Sequence, residues 1–95
     1  MERELQQWVD TINITVPELV EQLEKVRKQA LTLLPQDIHN DDYLTHIALS
    51  KAVGGIIEID KSIGTAIDNL LLLITATERI DKFQRIKNEN EGETK

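Results

Sequence analysis

Ninety-five residues make one domain with a modest core, and a net charge of −6 works against a general role on DNA or RNA, which needs a basic surface. The chain has no cysteine, which excludes a disulfide framework and thiolate metal sites and fits a reducing compartment. Only 3% of residues are aromatic (Trp8, Tyr43 and Phe83), so the core must be built of Leu, Ile and Val, and limited burial per chain favours self-association.

The first predicted helix runs from Glu2 to Ile12. Leu5, Trp8, Val9 and Ile12 share one face. Asn13-Ile14-Thr15 is expected to break it; the triplet also matches a glycosylation sequon, which we ascribe to chance because MERELQQWVD does not read as a secretion signal. Thr15-Val16-Pro17-Glu18 then reads as a capping box that opens a second helix. Pro17 would be tolerated there because first-turn amides have no helical partner. Val16, Leu19, Val20, Leu23, Val26, Ala30 and Leu34 form the apolar stripe of that helix, and Pro35 ends it.

A short connection, Gln36 to Asn40, predicts an antiparallel return. Asn40 or Asp41 is expected to cap the next helix, with Asp41 and Asp42 suited to its positive end. Leu49, Val53, Ile56, Ile63, Ile67, Leu70 and Ile74 repeat near 3.5 residues, and no proline follows Asp41. One long helix fits this pattern. A break at Gly54–Gly55 or Gly64 is the alternative, since each mid-helix glycine costs about 1 kcal/mol relative to alanine. Residues 1–87 are expected to form a single helical domain. Asn88 to Lys95, without an apolar side chain, is expected to be a disordered acidic tail. The longest near-apolar run, Leu70 to Ile74, is too short to cross a bilayer, so a cytoplasmic protein without membrane contact is expected.

On the long helix, Ala48, Ala52, Gly55, Ile59, Ser62 and Ala66 lie near one face, with Ile59 the only bulky member. Small residues let another backbone approach. The face is expected to be either a tight helix–helix seam or a trough for a flat ligand, and it serves both if the ligand binds where chains meet.

No catalytic set assembles. His39 and His46 have no Glu at metal-ligand spacing and suit surface or capping roles, and neither Ser50 nor Ser62 sits in a nucleophile elbow. Glu18 and Glu21 supply half of a magnesium-binding ExxE/ExxD pattern of helical nucleotide pyrophosphatases. The other half fails, because Lys61 stands three residues after Glu58. No metal, no cofactor and no enzymatic activity are therefore expected. Lys25, Arg27 and Lys28 form either a salt-bridged solvated face or a phosphate contact. Trp8 is either a core anchor or, with Tyr43, a surface on which a base could stack.

The run Ala48-Leu49-Ser50-Lys51, then Gly55-Ile56-Ile57, then Ile59-Asp60-Lys61-Ser62-Ile63 resembles the helical hairpin of phage anti-CBASS cyclic-nucleotide sponges, a hairpin also found in an anti-Thoeris sponge. The fold expected from the elements above is an all-α helical hairpin with a short N-terminal helix and one long C-terminal helix, and the resemblance implies a small all-helical protein. It implies homo-oligomers, typically hexamers. Cyclic di- and trinucleotides would be sequestered uncleaved between chains in the host cytoplasm, with an aromatic group on a base and basic groups on phosphates. By that resemblance the nucleotide-binding candidates are Trp8, Lys25, Lys28, Tyr43, His46, Ser50 and Lys51, and the oligomer seam is Ala48, Ala52, Gly55, Ile59, Ser62 and Ala66. Gly54 departs from the family pattern, which often has a larger polar residue there. A small helical protein-binding module, such as an immunity protein, is the alternative reading.

Overall fold

The computed structural model describes residues 2–36, 38 and 42–93, with side chains from Arg3 to Glu89. It is an all-helical hairpin of two helices, α1 (Glu2–Leu31) and α2 (Tyr43–Glu93). The chain divides into two compact units: Met1–Leu19 with Asp68–Lys95, and Val20–Ile67.

The expected break at Asn13–Thr15 is absent. Helix α1 is continuous, with Pro17 inside it, so Thr15 opens no helix and there is no separate short N-terminal helix. The reason lies in the apolar stripe. Leu5, Val9, Ile12 and Val16 keep spacings of four, three and four across the supposed break. Val9 and Val16 are buried, at 1% and 2% exposure, in the unit that contains the far end of α2. Interrupting the helix between them would put one of the two out of phase. Proline removes one helical hydrogen bond, the one to the Asn13 carbonyl. Pro17 and Asn13 are both exposed, so water can serve that carbonyl.

The same unit holds Thr77, which is fully buried. Its hydroxyl lies 2.8 Å from the Ile74 carbonyl and 3.0 Å from the Asn13 side-chain oxygen. One hydroxyl proton cannot serve both acceptors fully. Turning the Asn13 amide so that its NH2 donates to Thr77 satisfies both contacts.

In the second unit, α1 ends at Leu31, before the expected Leu34. The chain tightens into i→i+3 bonds, with Leu33 N donating to Ala30 O at 3.0 Å and Leu34 N to Leu31 O at 3.2 Å. Of the two expected caps of α2, Asn40 and Asp41 both lie outside the described residues, as does His39. Asp42 is a cap. Its carboxylate accepts the Leu44 amide at 3.4 Å and the Thr45 hydroxyl at 2.7 Å, and its carbonyl accepts the His46 amide. The Thr45 hydroxyl, foremost, holds the Asp42 carboxyl below its ordinary value.

Helix α2 runs unbroken through Gly54, Gly55 and Gly64, and it continues to Glu93 through most of the segment expected to be a disordered tail. The expected α2 core residues behave as read, whereas Leu19 and Val26 of the expected α1 stripe are exposed. Ile56, Ile63 and Ile67 are buried, and Leu49, Val53, Leu70 and Ile74 are half-buried.

Asp60 lies in the same stripe, between Ile56 and Ile63, and Arg27 lies between Leu23 and Ala30 on α1. They meet: Arg27 Nε donates to Asp60 Oδ1 at 2.6 Å, with a longer second contact of 3.4 Å. The guanidinium holds the Asp60 carboxyl below its ordinary value of 3.8. A charged pair among apolar neighbours fixes the register of the two helices in this unit.

Gly64 makes room for this arrangement. A Cβ there would stand 3.3 Å from an Arg27 terminal nitrogen, whereas a Cβ at Gly54 or Gly55 would meet nothing within 4 Å. Gly54→Ala should therefore gain the helix-propensity difference of about 1 kcal/mol. Gly64→Ala should gain less or lose stability, because the new methyl crowds a guanidinium pinned by Asp60. Denaturant midpoints of the two variants check this. Equal gains would show that Arg27 is not held over Gly64.

No helix of the described residues is long and apolar enough to cross a membrane.

Candidate functional site

The first turns of α2 present Tyr43, His46, Ile47, Ser50 and Lys51 around an open concavity of about 450 Å³. Their spacing of three, four, seven and eight residues from Tyr43 places them on one helical face. The face is open because it lies roughly 130° round α2 from the Leu49–Val53–Ile56 core stripe. With Arg27 level with Asp60 in an antiparallel pair, Leu31 falls roughly level with Ile56. The α2 residues before Ile56 thus run on past the last residue of α1.

Four of the seven nucleotide-binding candidates, Tyr43, His46, Ser50 and Lys51, come together here. Ile47 joins them as an apolar floor. Its helical spacing between Tyr43 and Ser50 made it findable. Trp8, Lys25 and Lys28 do not line this concavity. Trp8 belongs to the other unit and is 45% exposed. Lys25 Nζ lies 3.4 Å from Glu21 Oε1 in an exposed pair, and Lys28 stands exposed in the last turn of α1.

The chemistry of the site is limited and definite. The Tyr43 ring, 74% exposed, offers a flat apolar surface, the Ser50 hydroxyl a donor and acceptor, Lys51 an ammonium group and His46 an imidazole. At the N-terminal edge the Asp42 carboxylate already takes the Leu44 amide, so an anion is favoured at the Lys51 end instead. One lysine in this concavity is few for a ligand with two or three phosphates. Among the described residues no three histidine or carboxylate side chains gather as a metal site.

The expected oligomer seam lies elsewhere on α2. Ala48, Ala52, Gly55, Ile59 and Ser62 are exposed and Ala66 is half-buried. On a helix this stripe stands roughly 100° round from the Ile56–Ile63–Ile67 core face. Among the described residues, all of this stripe but Ala66 stands exposed. A further concavity of about 320 Å³ in the other unit, lined by Arg3, Leu5, Gln6, Ile80, Gln84 and Asn88, contains none of the residues singled out from sequence.

No family model, curated protein or solved structure matches this chain. The site is read from its own residues.

Proposed function

We propose that this protein binds cyclic di- and trinucleotide second messengers and withholds them, uncleaved, from a host CBASS defence effector, as a phage-type anti-defence sponge. The observation that carries the proposal is the concavity at the head of α2. It brings an exposed aromatic ring, a hydroxyl, a histidine and a lysine onto one helical face. The resemblance of Ala48 to Ile63 to the sponge hairpin falls on the same stretch of helix.

Action by sequestration requires tight stoichiometric binding and slow release in place of turnover. The scarcity of cations in one concavity argues that several copies build each pocket. The exposed small-residue face of α2 is the surface by which they would associate, up to a hexamer. Lys25, Lys28 and Trp8 would then reach a ligand from a neighbouring copy.

Isothermal titration of the full chain with cyclic di-AMP, cyclic GMP–AMP and cyclic tri-AMP tests this. Binding at micromolar concentration or below is expected, with the nucleotide recovered intact after denaturation. Absence of heat with all three would overturn the reading, and recovery of a linear product would turn it into an enzyme.

A second reading is favoured by a separate observation. Sixteen large apolar side chains of the described residues are exposed against six buried apolar ones. Such a surface also suits a protein-binding module of the immunity-protein kind. A monomeric mass by light scattering, together with silent titrations, would select it.

A further inference from the structure

We propose that Gly54 is a size-determining position of the candidate site, a patch of bare backbone over which the body of an anionic ligand passes. The inference rests on the ligand reading given above and names a residue that reading did not include.

Gly54 sits in mid-helix, exposed, where glycine costs about 1 kcal/mol relative to alanine. Nothing within the described chain requires it. A Cβ there would meet open space, and its backbone does not adopt the left-handed conformation that favours glycine. Gly64, by contrast, has Arg27 over it, and Gly55 points along the small-residue stripe. Consecutive helical residues are about 100° apart, so Gly54 and Gly55 serve different faces.

The face that Gly54 serves is that of the concavity. It follows Ile47 by seven residues, Ser50 by four and Lys51 by three, so it lies in line with them, one turn further along α2. Beyond it the same face continues to Lys61. The Lys61 ammonium lies 3.9 Å from Glu58, with both side chains about 70% exposed, so this loose pair holds the ammonium weakly. Lys51 and Lys61 are separated by roughly 15 Å along the helix axis. Between the two lysines the face carries Gly54 and then the exposed Glu58, so the floor is bare only over the turn at Gly54, beside Lys51, and a side chain at position 54 would rise into it.

The test is titration of wild type, Gly54→Ala and Gly54→Gln with cyclic di-AMP and cyclic tri-AMP. Circular dichroism, thermal midpoint and light-scattering mass are measured alongside. Both variants should fold, with Gly54→Ala melting above wild type, and both should keep the wild-type assembly. Affinity for the probe that wild type binds should fall at least tenfold in Gly54→Gln and by a smaller factor in Gly54→Ala. A change below threefold in Gly54→Gln would overturn the inference and leave the sponge reading standing. Loss of binding only together with loss of assembly would overturn it too, placing Gly54 in a contact between chains. Failure of wild type to bind either probe or cyclic GMP–AMP would remove the sponge reading itself.

Discussion

Gly55→Leu is expected to turn an assembled protein into a folded monomer that no longer binds cyclic nucleotides. Within one chain the substitution is harmless. A Cβ at position 55 meets nothing within 4 Å, and leucine is a far better helix former than glycine. The chain itself should keep its helical content and melt no lower. Between chains the effect is opposite. Ala52, Gly55 and Ser62 present almost no side chain, so a second helix can approach to the short end of the usual 8–10 Å interaxial range. A leucine at the centre of that face holds the helices apart along its whole length. Light scattering should then report the 10.9 kDa chain in place of a multiple of it. Titration with cyclic nucleotides should lose at least tenfold in affinity, because one chain's concavity supplies too few cations. A variant that stays assembled would show that copies meet on another face, of which the exposed Leu72 and Phe83 region offers one.

The helical class, the hairpin and the α2 core were legible because a repeat near 3.5 residues is a strong signal over a long element. Ile56, Ile63 and Ile67 follow directly from it. The continuity of α1 was written in the sequence as well, in the unbroken phase of Leu5, Val9, Ile12 and Val16. Local punctuation at Asn13, Thr15 and Pro17 outweighed that phase in the reading, although local signals are worth about 1–3 kcal/mol and yield to burial of a whole face. The Arg27–Asp60 pair left a similar trace, as a charged residue on the apolar stripe of each helix. Single stripes cannot say that the two charges meet; that needs the register between helices. The concavity was legible as residues and not as a place. Tyr43, His46, Ser50 and Lys51 share a face by spacing alone, but that the face runs on past the end of α1 depends on where α1 stops.

The two polar insertions also bear on how firmly each unit holds its alignment. A continuous Leu/Ile/Val seam would tolerate a shift of one heptad, since each apolar contact would be replaced by a similar one. Arg27 against Asp60 and Asn13 against Thr77 would both lose their partners in such a shift. Thr77 would keep its bond to the Ile74 carbonyl and lose only Asn13, whereas Asp60 would lose the guanidinium, so the Arg27–Asp60 pair selects one register within its unit more firmly. In the second unit, that register sets how far the head of α2 runs on past the end of α1.

Pro17→Ala should stabilise the protein, and Thr15→Ala should not destabilise it. Both signs follow from α1 being continuous. At position 17 alanine restores the amide that the Asn13 carbonyl lacks and removes the ring that crowds it. Proline in a helix interior costs about 3 kcal/mol relative to alanine. Part of that gain is offset, because proline also restricts the unfolded chain by about 0.4–1 kcal/mol. A net gain of about 2–2.5 kcal/mol is expected, which raises the thermal midpoint by roughly 4–8 °C per kcal/mol in a domain of this size. Thr15, exposed and inside the helix, has no amide left to cap. Its replacement by a better helix former should add a few tenths of a kcal/mol. A helix that began at Thr15 would give the opposite pair of results. Removing its cap would cost about 1 kcal/mol, and Pro17, in a first turn whose amides have no helical acceptor, would change little on replacement. Thermal melts of the two variants at one protein concentration therefore decide between a single α1 and two helices meeting at Asn13.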